Sequence, residues 1–359
     1  MTADTIGGIW HYALELARGL SEHGVEVTLA TFGGRLNPSQ QRAAQQITGL
    51  TVHESDYRLE WMREPWDDIA HAGDWLLKLA ADTRPDIVHL NNYSHGALRW
   101  PAPAVVVAHS CVYSWFRAVH GALPDPSWQR YRSAVGAGIA GADLVVAPTA
   151  AMLAMVAEFY GPLRDTMVIA NGRRSVEFHP RTKRPRILAA GRLWDEGKNV
   201  LPLARIAPQL AWPVRLIGDD RRPDGRRMNF PNVEWRGPSD GGRLAREYAT
   251  ASIYALPARY EPFGLSILEA ALAGCALVLG DIASLREVWG KAALYVKPDD
   301  ERALLNTLNN LIQNPIERQS WGVRARRRAR RYSAARMTAG YLGAYSRLLE
   351  PHALHGAAG

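Results

Sequence analysis

Short β-branched runs alternating with helical stretches constrain this chain more than any other feature of its sequence. In the first half the runs Val25–Ala30, Asp86–Leu90, Ala104–Ala108, Leu144–Ala147 and Met167–Ala170 alternate with the stretches Ile9–Glu22, Trp66–Ala81, Ser127–Ala140 and Ala150–Tyr160. Within the first stretch Trp10, Ala13, Leu14, Ala17 and Leu20 recur three and four residues apart, which makes one apolar stripe on a helix. Such alternation predicts α/β architecture with parallel sheets. The segment Asn171–Pro185 breaks the pattern with Asn-Gly, several arginines and two prolines, so the interdomain linker is placed there. The alternation then restarts with strands at Arg186–Ala190, Val214–Ile217, Val233–Trp235, Ile253–Leu256, Ala276–Gly280 and Ala292–Val296. Helices are expected at Asn199–Gln209, Gly241–Ala251, Gly264–Ala273 and Glu301–Gln313, with a long helical tail from Ile316 to Leu349. Two doubly wound units in tandem imply a cleft at the carboxyl ends of their sheets.

A length of 359 residues suits two domains, and 47% hydrophobic with 22% charged residues excludes a disordered chain. No apolar run reaches the roughly 18–20 residues of a membrane span. Met1-Thr2-Ala3-Asp4 has neither the basic start nor the apolar stretch of a signal peptide. Two cysteines, Cys111 and Cys275, argue against a disulfide framework. The expectation is a cytoplasmic protein. The net charge of +8 is unevenly divided. Residues 1–175 hold 14 Lys/Arg against 17 Asp/Glu, a balance of −3, and residues 176–359 hold 29 against 18, a balance of +11. The second half therefore favours an anionic partner.

Three signals dissolve on inspection. Gly136-Ala-Gly138-Ile-Ala-Gly141 has the G-x-G-x-x-G spacing, but its glycines end a helix and lead into a strand, the reverse of a dinucleotide fingerprint. Small residues packing a helix against a sheet are the preferred reading. The run Arg324–Arg331 carries six arginines in eight residues, in a chain with 38 Arg and five Lys. Helical phase puts Arg324, Arg327, Arg328 and Arg331 on one face and turns Arg326 and Arg330 elsewhere. A solvated helix face is preferred over a nucleic-acid or membrane contact. The eleven histidines show no metal spacing, His352 and His355 fall in a Gly/Ala tail, and no Asp-x-Asp pair exists, so no metal is expected.

Polar chemistry concentrates in the second half. Arg192 and Lys198 lie in the loop after the strand ending at Ala190, where a planar fork and a point charge suit a diphosphate. In Pro257-Ala-Arg-Tyr-Glu261-Pro-Phe-Gly264-Leu-Ser-Ile-Leu-Glu269 a strand runs through a short loop into a helix. The amides around Phe263, Gly264 and Leu265 then offer an anion site. Glu269 falls among Leu265, Ile267, Leu268, Ala271 and Leu272 on a helix built for burial, so something must bond it, a ligand or a salt bridge.

Together these residues resemble the retaining glycosyltransferases of family 4, with Glu261 and Glu269 as the E-x7-E motif. The resemblance spans residues 1–350 and implies the GT-B fold: two Rossmann-like doubly wound domains facing a central cleft, with the C-terminal helix returning to the first. It implies an acceptor-binding domain at 1–175, a nucleotide-sugar-binding domain at 176–330, a crossover helix at 331–350 and a flexible tail at 351–359. The implied reaction moves a hexose from a UDP- or GDP-linked sugar to an acceptor with retention at the anomeric carbon, without a metal. Arg192 and Lys198 match the diphosphate pair, and Gly7-Gly8 the glycine loop after a short first strand. His109 matches an active-site histidine near the donor sugar. Glu261 would hold the sugar hydroxyls, Glu269 the ribose hydroxyls, and Arg236-Gly237 falls at the base-contacting loop. Ser110 stands where many members have Asp. Seven of the twelve tryptophans lie in the first half, including Trp61, Trp66, Trp100 and Trp128. Flat rings suit sugar faces, so a saccharide or glycoside acceptor is expected. The non-basic first half argues against a lipid-linked acceptor at a membrane. Two competing readings are a nucleotide-sugar epimerase of the same fold and a nucleic-acid-binding protein using Arg324–Arg331.

Overall fold

In the computed structural model, which describes residues 1–222, 225–239 and 241–353, both series of alternating elements form. The first runs β1 (Thr2–Asp4), α1 (Gly8–Ser21), β2 (Val27–Phe32), α2 (Pro38–Gln45), β3 (Leu50–Glu54), α3 (Trp66–Thr83) and β4 (Val88–Leu90). It continues through β5 (Ala104–Val107), α4 (Val112–His120), α5 (Gln129–Gly141), β6 (Leu144–Ala147), α6 (Ala150–Tyr160) and β7 (Thr166–Val168). The second opens with β8 (Arg184–Ala190), α7 (Leu201–Ile206), β9 (Val214–Ile217), β10 (Glu234–Trp235), α8 (Gly241–Thr250) and β11 (Ala251–Leu256). After it come α9 (Leu265–Leu272), β12 (Ala276–Gly280), α10 (Ala283–Trp289), β13 (Leu294–Val296), α11 (Glu301–Gln313) and α12 (Pro315–Ala329), and the chain closes with α13 (Ala334–Ala353).

These elements gather into two units. One comprises residues 1–172 together with α13, and the other is Arg173–Ser333. The closing helix joins the first unit by packing on α1, where a Cβ on Gly19 would meet the Thr338 hydroxyl at 2.0 Å. That contact needs a residue without a side chain. The helix extends to Ala353, past the expected end at 350, and residues 354–359 of the expected tail, His355 among them, lie outside the described residues.

All strand pairs in both units are parallel. The second unit holds one six-stranded sheet in the order β10-β9-β8-β11-β12-β13. Every residue of β11 and β12 is buried, as expected of strands covered by helices on both faces. The first unit carries a three-stranded sheet, β1-β2-β3, and a four-stranded one, β4-β5-β6-β7. The two are joined at β1 and β4 by side-chain bonds. The Asn91 backbone N–H donates to Thr2 Oγ1 at 2.8 Å, and the Asn91 side-chain amide donates to the Thr2 carbonyl at 2.6 Å. In both units the chain places its first and fourth strands side by side and winds outward in opposite directions. A crevice opens at the carboxyl ends of the strands where the order reverses.

Several elements escape sequence periodicity. β3 is a half-exposed edge strand, and α2 (Pro-Ser-Gln-Gln-Arg-Ala-Ala-Gln) has almost no apolar face. What starts α2 is its cap: Asn37 accepts from the amides of Ser39 and Gln40, and Gln40 returns a bond to the Asn37 amide. The helices α4 and α10 were also unexpected, being only nine and seven residues long. The long tail expected from Ile316 to Leu349 is two helices. It breaks between Ala329 and Ala334, where the chain passes from the second unit to the first, and the Tyr332 carbonyl accepts from the Arg173 amide.

Candidate active site

The switch point of the second unit lies between β8 and β11, and the loops after these strands carry most of the residues the sequence singled out. After β8 the chain turns at Gly191, whose φ of 147° few side chains tolerate. A Cβ on Gly218, at the end of β9, would stand 1.8 Å from the Gly191 carbonyl, so the two strand ends touch backbone to backbone. Arg192 then reaches Asp195 at 3.1 Å and lies 5.4 Å over the Trp194 ring. Asp195 also accepts from the Gly197 amide at 2.9 Å, which starts a single 3-10 turn ending at Lys198. Asn199 follows in a left-handed conformation and donates to the carbonyls of Pro257 and Pro298 at 2.9 and 2.7 Å. The amides of Arg259 and Tyr260 donate to the Gly197 carbonyl. These bonds lace the loop after β8 to the loop after β11.

Across that lacing Lys198 Nζ meets Glu261 Oε2 at 2.5 Å, with side-chain exposures of 17% and 8%. An ion pair so largely removed from water is strongly coupled, because the medium screens it less. The Glu261 backbone carbonyl accepts from the Ser284 hydroxyl at 2.7 Å, which fixes the loop from its far side. Phe263 is buried edge-on against Tyr332 at 5.5 Å. Gly264 caps α9 with a φ of 91°, and a Cβ there would strike the Ile267 side chain at 2.6 Å. The opening amides of α9, from Leu265 onward, therefore begin beside Glu261. Tyr254 on β11 ties this helix to β8, donating to the Ala190 carbonyl at 3.1 Å and meeting the Ser266 hydroxyl at 2.9 Å.

Glu269, one turn into α9, is buried and pairs with Arg173 Nε at 3.0 Å. Of the two partners left open for it, the protein supplies a salt bridge. Arg173 was not singled out in the sequence; its one signal was a place in the Arg-rich segment opening the second unit. Arg236-Gly237 follows β10 on the same carboxyl edge. The Arg236 amide donates to the Leu216 carbonyl, and the Gly237 carbonyl accepts from the Gly218 amide at 3.0 Å. The Arg236 side chain is held by Glu234 at 2.9 Å. Arg192, Lys198, Arg236, Gly237, Glu261 and Gly264 thus share the carboxyl edge of one sheet.

In the first unit, Gly7 (φ 86°) caps α1 and Gly8 begins it, both exposed after β1. His109 follows β5, with its Nε2 at 2.8 Å from Asn91 Oδ1 and its ring edge-on to Tyr12 at 4.5 Å. His89 on β4 lies 3.2 Å from the same Asn91 oxygen and 2.6 Å from the Tyr345 hydroxyl of α13. Burial lowers the pKa of both histidines to about 3, so both are neutral imidazoles at ordinary pH. Asn91 and Tyr12 were missed in sequence because a buried polar cluster has no periodic signature. Of the tryptophans singled out in the first half, Trp66, Trp100 and Trp128 pack against the core of this unit and Trp61 against a second cluster.

Two motif readings need correction. Gly138 and Gly141 pack α5 against the turn Ser94–Ala97 and not against a sheet, since Cβ atoms there would meet the Tyr93 and Gly96 carbonyls at 1.8 and 2.5 Å. The arginine run is not one solvated face either. Arg326 donates to the Leu272 carbonyl at the end of α9, and Arg328 to the Val288 and Glu287 carbonyls at the end of α10. These side chains satisfy helix carboxyl ends, where cations are favoured. The helix also stops at Ala329, so Arg331 does not share its phase. Arg324, Arg327, Arg330 and Arg331 stay exposed, so the run is divided between helix-end contacts and solvent.

Two Rossmann-like units of this topology define the GT-B fold. Sucrose-phosphate synthase from Thermosynechococcus elongatus superposes with a TM-score of 0.79 over 97% of this chain and 95% of its own, at 18% identity. Anabaena HepE in complex with UDP-glucose superposes with a TM-score of 0.75 over 97% and 100%, at 17% identity. Residues 6–174 match the family Glycosyltransferase Family 4, and residues 184–314 match Glycosyl transferases group 1. Glycogen synthase from Mycobacterium tuberculosis (strain CDC 1551 / Oshkosh) is 26% identical over 90% of this chain and 86% of its own length. The chain is a GT-B-fold glycosyltransferase related to the family 4 enzymes, and it transfers a sugar from a nucleoside diphosphate sugar to an acceptor. Among the described residues no cluster of three His, Cys, Asp or Glu side chains is arranged to hold a metal, and no helix is long and apolar enough to cross a membrane.

Proposed function

We propose that the protein is a retaining hexosyltransferase that draws on a UDP- or GDP-linked hexose, binds it on the second unit, and delivers it to a saccharide or glycoside on the first. The Lys198–Glu261 pair at the β8/β11 switch point carries this reading. Negative charge develops on the departing diphosphate. Arg192, Lys198 and the amides opening α9 are fixed positive groups on that edge, and groups set in place before the reaction stabilise such charge most. Glu261 orients the Lys198 ammonium while its carboxylate accepts from hydroxyls of the donor sugar. Glu269, held by Arg173, accepts from the ribose hydroxyls, and Arg236-Gly237 lies beside the base. Gly7-Gly8 lets backbone approach the diphosphate or the acceptor. His109 contacts the donor sugar as a neutral imidazole. A basic second half (+11) for the anionic donor and a near-neutral first half (−3) for an uncharged acceptor agree with this division.

The test is thermal stability against uridine, guanosine and adenosine diphosphate sugars without added metal. A ligand at 100 times its Kd stabilises by about 2.7 kcal/mol, a shift readily measured. We expect one base to stabilise the protein, and Lys198→Ala and Glu269→Ala to abolish the effect. Proton NMR of the product then reads the anomeric configuration. Stabilisation that survives both substitutions, or an inverted product, would overturn the proposal.

A further inference from the structure

We infer that Asn91 is a positioning residue for the transfer reaction: it holds His109 as the Nε2–H tautomer and leaves Nδ1 as a bare acceptor for a substrate hydroxyl. The inference rests on the proposed place of His109 beside the donor sugar and adds what orients it. The Asn91 side-chain NH2 donates to the Thr2 carbonyl at 2.6 Å, which can only accept. The amide is therefore not free to flip, and Oδ1 is the end that faces the histidines. An amide oxygen only accepts, so His109 Nε2, 2.8 Å away, carries a proton. The ring is neutral, so its Nδ1 carries none. Nothing among the described contacts of His109 occupies Nδ1. The Tyr12 ring packs edge-on against His109 with centroids 4.5 Å apart.

The neighbouring histidine closes the account. His89 Nδ1 lies 2.6 Å from the Tyr345 hydroxyl, and His89 Nε2 lies 3.2 Å from the same Asn91 oxygen. His89 Nε2 lies equally 3.2 Å from the Tyr12 hydroxyl, and with Nε2 protonated it can donate to Asn91 Oδ1 while Nδ1 accepts from Tyr345. The opposite tautomer would set a lone pair against the Asn91 oxygen. Asn91 Oδ1 thus faces both rings and accepts from His109, and the Thr2 contacts that join β1 to β4 also aim the amide. A group that transmits orientation in this way acts through its neighbour, as second partners of catalytic histidines do.

The titratable and charged groups facing His109 are few. Tyr12 comes from α1 and His89 from β4, Tyr341 and Tyr345 pack on them from α13, and the chain's amino group acts on His89. None of these described neighbours is a carboxylate. Asn91→Asp introduces one at nearly the same size and should raise the His109 pKa, so that the ring is charged below that value and neutral above it.

Nitrogen-15 NMR on the unsubstituted protein reads the tautomer directly and needs no folded variant. We expect His109 to show Nε2–H from pH 5 to 9 without titration; an Nδ1–H ring would overturn the inference. Kinetics then test its bearing on transfer. Asn91→Asp should lower kcat/KM for the donor at least tenfold below the raised histidine pKa and recover as pH rises. It should do little further harm in a His109→Ala background. An equal loss in both backgrounds would mean a merely structural residue and would overturn the inference. If His109→Ala impairs transfer while Asn91→Asp leaves the pH profile unchanged, Asn91 fails alone. If His109→Ala is fully active, the role proposed for His109 fails and the inference falls with it.

Discussion

The two units solve the same topological problem with opposite chemistry. In the second, β8 and β11 pair directly at the switch point, with an irregularity between Ala251 and Ile253, and the loops beyond them are organised by ions: Arg192 with Asp195, Lys198 with Glu261, Arg173 with Glu269. In the first, β1 and β4 meet through Thr2 and Asn91, and the cluster around Asn91 is built of neutral groups: His89, His109, Tyr12 and Tyr345. A backbone ladder can form without side-chain help, so the second unit leaves its side chains free to place charge. The first unit uses a side-chain amide to bridge its sheets, and that same amide orients a histidine.

The contrast can be broken most sharply at its ionic side. Lys198→Ala should lower kcat/KM by about 100- to 1000-fold, the usual loss when one donor to a developing charge is removed. Glu261 would also be left largely buried without its partner, at a cost of about 3 kcal/mol visible in urea unfolding. A variant with normal turnover would remove the electrostatic account of the second unit.

Acid should distinguish the units next. His89 and His109 take up a proton near pH 6.5 when unfolded but only near 3 when folded. Between those values the unfolded chain binds more protons, so their contribution is complete above pH 6.5 and is lost as pH falls toward 3. The slope is about 1.4 kcal/mol per pH unit for each histidine. The second unit contains only His179. Amide hydrogen exchange at pH 7 and pH 5 should therefore show protection lost first in residues 1–172. Equal loss in both units would contradict the buried neutral pair.

Two smaller changes sharpen the comparison. Gly218→Ala forces a Cβ onto the Gly191 carbonyl at a φ of 144°, and should destabilise the second unit by about 3 kcal/mol. Thr2→Val removes the hydroxyl that accepts from the buried Asn91 backbone N–H and should destabilise the first by about 1–3 kcal/mol. Both are read as shifts of the urea midpoint without change of slope.

How much of this was legible in advance follows from what each feature depends on. Arg192, Lys198, Glu261 and Gly264 stood out because the loop after a parallel strand is short and its polar residues are close in sequence. Asn91, Arg173 and Asn199 did not, since their partners lie 89, 96 and 58 positions away. The β3 edge and α2 were missed for a related reason: a half-exposed strand and a capped polar helix lack the apolar period that burial imposes. Glu269 is the instructive case, because the sequence required a partner for a carboxylate on an apolar helix without indicating which.

By itself the sequence determined the alternation of strands and helices, an interruption of that alternation over Asn171–Pro185, and the gathering of cations and carboxylates in the second half. These depend on local patterning, which backbone geometry converts directly into elements. Only the tertiary structure decided which charges pair, that the arginine run closes helix ends, that the tail is two helices, and that Asn91 faces two histidines. Those depend on residues brought together by strand order, and a hydrogen bond spanning roughly 3 Å is set by packing that no spacing along the chain records.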